Sequence, residues 1–383
     1  MKTKFYNSPG LEGCHIELGY GFHNYNQFCS SFPEIFSINI PPHVSVSLYS
    51  HDNFSGSCKV IPNHGNKPLK IVNLPRIFNN HVRSINIECA CKLDNNLRCP
   101  VKFIVESNTI PRNDGNLGYT YYKVICKERP SPHLFIIPDF GVNKILYINF
   151  QERLADRGIS SLILDYRGIG TSQASNYMQY AEIIQDYRFV GFQICPIKGK
   201  PIVFGHGIGG AIAQLWAVIY KKELYNLILV NTAPYAVYAN YNLICNSTQN
   251  WLDNTLSTLE YATIVANVSY NTSSKDCESE ILKKDLIDSI TSSDTNSLKL
   301  LLMQNPIDEN FALAPKFICT PTLIIHGIND GYISISGSDA LYALIKNSVF
   351  RKLKTGHTPQ FSLPDVILDA VDNYLVSNLC IYN

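Results

Sequence analysis

Neither sign of charge is in excess in this 383-residue chain: 32 Lys and Arg stand against 31 Asp and Glu, for a formal net charge of +1. That balance gives no electrostatic footprint for nucleic acid or for an anionic membrane surface. No uninterrupted apolar run approaches the roughly 20 residues of a membrane span. The stretch from Met1 to Gly10 contains no apolar segment of signal-peptide length. The expectation is a cytoplasmic protein with no transmembrane segment and no nucleic-acid partner. Paired metal-ligand spacings are also missing. Twelve cysteines are scattered from Cys14 to Cys380, but the closest group, Cys89, Cys91 and Cys99, has no second C-x₂-C pair and no nearby histidines. A zinc site is therefore not expected, and neither a metal nor a cofactor is called for. Small buried thiols in a reducing compartment account for most of the cysteines. A Cys91–Cys99 disulfide would require an oxidising one. The sequons at Asn53, Asn246, Asn267 and Asn271 read as chance in a chain rich in Asn, Ser and Thr.

The sharpest absence is one side chain. Pro201 to Trp216 reads P-I-V-F-G-H-G-I-G-G-A-I-A-Q-L-W. A buried strand, Ile202 to Phe204, runs into a glycine-rich turn and then an apolar helix. This is the build of a nucleophile elbow, G-x-S-x-G, with Gly207 at the central position. Glycine cannot attack a carbonyl, and its neighbours His206 and Ile208 offer no hydroxyl or thiol in its place.

Residues 1–92 read as short alternating strands separated by Gly, Pro and Asn, the pattern of an all-β domain. His43 to Tyr49 alternates Val44, Val46 and Leu48 against polar neighbours; Val82 to Ile87 alternates again. Between them lies Tyr49-Ser-His-Asp-Asn-Phe54-Ser-Gly56, a Y-x-x-x-x-F-x-G pattern followed later by Ser84-Ile85. A weaker copy runs from Phe5 through Gly13 to Phe36-Ser37-Ile38. This arrangement resembles the βγ-crystallin Greek key. The resemblance implies a hairpin folded by its aromatics, a glycine in a backbone conformation other residues resist, and a later serine bonding back to the hairpin. Some other small β-sandwich is the alternative. The segment matching that family's calcium motif is Asn79-Asn80-His81-Val82-Arg83-Ser84. Arg83 puts a cation where an oxygen ligand belongs, so calcium is not expected at Asn79 and Asn80.

From residue 100 to 383 the pattern changes. Val101 to Val105 and Leu117 to Cys126 suggest two strands around a turn at Asn113-Asp-Gly115. Continuous apolar runs then alternate with helical patterns: strands at His133–Ile137, Ser161–Leu164, Ile202–Phe204, Leu227–Val230, Thr322–Ile325 and Val349–Lys352, and helices at Lys144–Arg157 and Gly209–Lys221. That alternation predicts an α/β fold with a parallel sheet covered on both faces. The alternation stops over residues 234–315. Helical spacing there predicts one helix from Trp251 to Ala266, another through Ile281 and Ile290, and a third from Ser297 to Met303. A helical insertion between two strands is expected to form a lid over the carboxyl edge of the sheet.

Asp165-Tyr-Arg-Gly168-Ile-Gly170, the glycine turn at 205–209, Ile325-His-Gly-Ile-Asn-Asp330 and Thr355-Gly-His357 occur in the order found in the α/β-hydrolase family, which this part of the chain resembles. The resemblance implies that Asp330 is the triad acid and His357 the triad base, in the elbow–acid–base order of that fold. Asp165 and Arg167 would hold a strand end. It further implies an oxyanion hole formed by the N–H of Ile208 and a donor from the loop after His133–Ile137. That loop reads Pro138-Asp139-Phe140-Gly141, where the family has His-Gly. Phe140 N–H would still donate, while an ionised Asp139 would oppose charge developing on an acyl intermediate. A burial-raised Asp139 would instead act as an acid, and the sequence leaves both states open.

Three readings follow. One is a non-catalytic hydrolase-fold protein, holding a small apolar or aromatic ligand or a partner near Tyr235, Tyr238 and Trp251. Another is a non-covalent lyase, isomerase or cyclase in which His357, oriented by Asp330, is a general base and Asp139 an acid. The third is a serine esterase or lipase whose nucleophile has been substituted at position 207.

Overall fold

A computed structural model describes residues 2–19, 21–24, 34–51, 55–63, 67–71, 74, 82–89, 102–112, 114–125, 132–195, 200–234, 241–270, 277–303 and 313–379. The chain divides into two compact units, Met1–Pro100 with Asp372–Asn383, and Val101–Val371.

Apart from a 3₁₀ turn at Pro9–Leu11 and the end of the last helix, the described part of the first unit is β. Strands β1 (Thr3–Tyr6), β2 (His15–Leu18), β3 (Gly21–Asn24), β4 (Ser37–Ile40), β5 (Val44–His51), β6 (Ser55–Asn63), β7 (Leu69–Ile71) and β8 (Ser84–Cys89) form two antiparallel sheets, ordered β2-β1-β4-β7 and β3-β8-β5-β6. Each half of the unit lends one strand to the other half's sheet: β3 joins β5, β6 and β8, while β7 joins β1, β2 and β4. The alternating apolar positions meet in one core of Phe5, Ile38, Ile40, Val44, Val46, Leu48, Ile85 and Ile87. Each such side chain is worth about 1.5–3 kcal/mol when fully buried. The weaker sequence copy has the expected serine bond. Ser37 Oγ donates to Ser8 O at 2.6 Å and accepts from Leu11 N at 2.9 Å. Gly13 has φ of +79°, and a β-carbon there would strike the Asn7 and Ser8 side chains. Phe54, Asn79, Asn80, Cys91 and Cys99 lie outside the described residues, as does the side chain of Cys89.

The second unit is built on an eight-stranded sheet, ordered β16-β15-β14-β13-β11-β12-β10-β9. Its members are β9 (Lys102–Arg112), β10 (Gly115–Ile125), β11 (His133–Ile137), β12 (Ser160–Leu164), β13 (Ile202–His206), β14 (Asn226–Val230), β15 (Thr322–Gly327) and β16 (Ser348–Leu353). β9 pairs with β10 and β10 with β12 in antiparallel fashion; every other pairing is parallel. The central strands β13 and β14 are buried at every residue, as expected of apolar runs covered on both faces. Helices α1 (Ile148–Asp156), α2 (Tyr180–Ile194) and α3 (Ile208–Ile219) follow β11, β12 and β13.

Between β14 and β15 the chain forms α4 (Tyr241–Leu252), α5 (Thr258–Ser269), α6 (Cys277–Thr291) and α7 (Thr295–Met303). The single helix expected from Trp251 to Ala266 is in fact two. Asn254 takes a positive φ of 58°, and Ser257 starts α5 with a reciprocal capping box to Glu260. The periodicity of Leu252, Leu256 and Leu259 carried no information about that local competition. The predicted helix at Lys144 likewise opens as a 3₁₀ turn, Lys144–Tyr147, before α1. α8 (Ile335–Leu344), α9 (Pro359–Ser362) and α10 (Pro364–Leu379) complete the chain. Among the described residues, no helix is long and apolar enough to cross a membrane.

Candidate active site

The carboxyl ends of the parallel strands collect the predicted residues. Asp330 follows β15, and its carboxylate is saturated. Oδ1 accepts from the backbone N–H groups of Tyr332 and Ile333 at 2.7 and 2.9 Å. Oδ2 accepts from Asn231 Nδ2 at 2.6 Å and faces His357 Nδ1 at 2.8 Å. His357 follows β16 across the turn at Gly356. Burial raises the Asp330 pKa, but the charge and hydrogen bond of His357 outweigh it, and the net direction is down. The structure brings Asp330 and His357 together.

The other face of the imidazole has an unexpected partner. His357 Nε2 lies 2.8 Å from Asp139 Oδ2, and the second oxygen, Oδ1, accepts from the Ile208 N–H at 2.8 Å. Asp139 thus takes the two groups that a serine nucleophile and its oxyanion would use. Gly207 is what makes this arrangement fit. It has φ of 55° and ψ of −120° at the turn between β13 and α3. A β-carbon built on it falls among Cγ, Oδ1 and Oδ2 of Asp139, closer to all three than unbonded atoms approach. A side chain at 207 would require the Asp139 carboxylate to leave this position.

Charge follows from this geometry. Burial opposes the imidazolium, but Asp330 and Asp139, one on each ring nitrogen, overcome that penalty and raise the His357 pKa to about 10. Burial also pushes the Asp139 carboxyl up; the His357 hydrogen bond, the nearby histidine charges and the Ile208 N–H bring it down to about 2. The acid role considered for Asp139 required the opposite direction. Burial alone gave that expectation, and the imidazolium beside it reverses the sign. The unit is a carboxylate–imidazolium–carboxylate chain with Asp139 only 7% and His357 1% exposed.

His206 is fully buried, and burial lowers its pKa to about 4. Its Nε2 lies 2.8 Å from His357 O, and its Nδ1 is 3.1 Å from Gln360 Nε2. The carbonyl can only accept and the amide nitrogen can only donate. These contacts fix a neutral tautomer and steady the backbone of His357. Asp139, His206 and His357 lie close enough together to hold a metal. As arranged, both His206 nitrogens are engaged and both His357 nitrogens face carboxylates, so neither imidazole offers a lone pair to an ion.

The helical insertion packs on the loop that carries Asp139. Phe140 meets Trp251 and Tyr261 edge-on at 6.2 and 6.0 Å, and those two rings stack at 4.5 Å. Trp251 is 1% exposed, so it serves as packing for Phe140 and does not line an open wall. Ser289 Oγ donates to Gly141 O at 2.6 Å and accepts from Asn143 N at 3.2 Å. Tyr235 and Tyr238 lie outside the described residues. Asp165 accepts from Lys144 N and Nζ at 2.7 and 2.6 Å and from Thr171 N at 2.9 Å. Arg167 grips Asp186 through two bonds of 2.9 and 3.0 Å. Both residues brace loops.

The comparison with known proteins agrees with this fold. The family model Serine aminopeptidase, S33 (Hydrolase_4) matches residues 129–355. Protein phosphatase methylesterase 1 of Candida albicans is 27% identical over 135 residues, 34% of this chain and 37% of that protein. The chain spans less than two thirds of the length of the curated relatives it matches. Among solved structures, the enol-lactonase from Burkholderia xenovorans LB400 superposes with a TM-score of 0.60 at 16% identity, covering 70% of this chain and 99% of that one. An esterase from Exiguobacterium antarcticum gives 0.55 at 17% identity, covering 68% and 96%. These likenesses are of fold; the family match spans the sheet from β11 to β16 and the turn at Gly207, and the chain belongs to the Serine aminopeptidase S33 (Hydrolase_4) family of α/β-hydrolases.

Proposed function

We propose that this chain is a non-acylating member of its family, a pseudo-hydrolase that binds a ligand or partner on a hydrolase scaffold. The observation that carries this reading is the Asp139 carboxylate in the space of the absent side chain, bonded to both Ile208 N–H and His357 Nε2. An ester carbonyl would find no nucleophile there and an anion already in the oxyanion position. A His357 general base is disfavoured by the same contacts: the imidazole is protonated near neutral pH, and its Nε2 is occupied. The relatives named as esterases support shared ancestry with acyl-transfer enzymes, and the changes at 139 and 207 separate this chain from their chemistry.

A fluorophosphonate probe tests the reading. The unaltered protein is expected to stay unlabelled at every serine of the second unit. Labelling there, abolished by His357→Ala, would overturn it.

For the first unit we infer a βγ-crystallin-like double Greek key acting as a rigid attachment module. The strand exchange between its sheets and the Ser37 bonds support this. The insertion, through its contacts with Phe140 and Gly141, acts as a lid.

A further inference from the structure

The side chain of Asp139 is held as a free carboxylate would be. One oxygen takes a backbone N–H and the other an imidazole N–H, each at 2.8 Å. Neither donor belongs to the strand or loop that supplies Asp139: Ile208 opens α3, and His357 follows β16. Remove the aspartate, and the Ile208 N–H and the His357 ring remain, fixed by other elements and without this partner; a replacement anion would restore the second imidazole proton that Asp139 helps to hold. His357 keeps its place through Asp330 and its own carbonyl bond to His206. Ile208 keeps its place through the turn at Gly207, whose N–H donates to Val230 O and whose carbonyl accepts from Thr232 Oγ1. Buried donors left unsatisfied are costly. In the parent each ring nitrogen of His357 faces a carboxylate, and a monoanion in place of Asp139 would restore the second of these partners. Two donors directed at opposite oxygens also favour a planar carboxylate over a spherical anion.

We propose that this site is a monocarboxylate receptor which the chain fills with its own Asp139, and that a free carboxylate competes for the same two donors. The proposal rests on the non-acylating reading of the site and names its ligand class. An intramolecular ligand acts at an effective concentration of roughly millimolar or above, so exchange in the parent protein is weak. The anchorage of Phe140 between Trp251 and Tyr261, and of Gly141 O by Ser289, sets how far Asp139 can withdraw.

The test uses Asp139→Ala in the full chain with sodium formate or acetate, against sodium chloride at matched ionic strength. The variant is expected to melt below the parent and to recover as the logarithm of carboxylate concentration, with chloride much less effective. The Ile208 amide resonance is expected to saturate with formate at a concentration at least about tenfold lower in the variant than in the parent. Equal effects of formate and chloride, or an Ile208 amide that does not respond, would overturn the proposal. If Asp139→Ala does not fold, Asp139→Ser, whose hydroxyl is too short to reach both donors, takes its place. Folding of either variant only when formate is present supports the receptor; failure of both with formate present refutes it. Failure here leaves the non-acylating reading standing, because that reading is overturned by labelling of a serine and not by the carboxylate response.

Discussion

The Asp139 carboxylate and a β-carbon on Gly207 would occupy one space, and Asp139 holds it while bonded to His357 Nε2 at 2.8 Å. Gly207 and Asp139, 68 residues apart in sequence, meet at one point in the fold.

Stability should depend on pH through this site. His357 is raised from 6.5 to about 10 in the folded protein. Its stabilising contribution is therefore complete below pH 6.5 and is lost as pH climbs through 10. Asp139 is lowered from 3.8 to about 2, so its contribution is present above pH 3.8 and lost as pH falls toward 2. Urea midpoints measured between about pH 6 and 10 should fall across that range in the parent. In Asp139→Asn the fall should end at lower pH and be smaller, because an amide does not hold the imidazolium as strongly. A parent midpoint that is flat across this window contradicts the assigned charge state.

Asp330 should be costly to remove. Asp330→Ala strips the acceptor from His357 Nδ1, Asn231 Nδ2 and the N–H groups of Tyr332 and Ile333 together. Breaking one side of a buried charge pair costs about 3–5 kcal/mol, and denaturant unfolding should register a loss of that order. Glu280→Ala, which removes an exposed pair with Lys283 on α6, should leave the midpoint nearly unchanged.

The packing of Phe140 offers a third check. Phe140→Ala removes the ring that Trp251 and Tyr261 contact and should cost about 3–5 kcal/mol. Trp251 is one of two tryptophans in the chain. In a Trp216→Phe background its fluorescence should shift to the red as water reaches it. An unchanged spectrum would mean that the insertion is held elsewhere.

Much of the site was readable in advance, for physical reasons. The family resemblance paired Asp330 with His357, and the structure puts the strands they follow, β15 and β16, side by side. Ile208 was placed by the turn itself. The Asp139 contact was not readable: it joins residues 218 apart and depends on the direction of one side chain, which no periodicity encodes. The sequence left the charge state of Asp139 open, because the imidazolium that favours the carboxylate comes from this same distant contact. His206 and Gln360 look like ordinary polar residues in apolar surroundings, and only the fold makes them braces for His357. The break at Asn254 was missed because a repeat of leucines persists through a helix stop, although Ser257 with Glu260 three residues on is the signal that could have revealed it.

Positions 139 and 207 compete for one space, and a rescue experiment measures that competition most directly. It compares hydrolysis of p-nitrophenyl acetate by Gly207→Ser and by the double variant Asp139→Gly with Gly207→Ser. A serine introduced at position 207 inherits a strained turn, φ of 55° and ψ of −120°, and in the single variant it also meets the carboxylate. No rise above the parent rate is expected for the single variant. With Asp139 also removed, His357 is free to act on the introduced hydroxyl, and the rate should rise by about 10²-fold or more, the usual reach of a positioned general base. A single Gly207→Ser variant that hydrolyses the ester as fast as the double would contradict the competition.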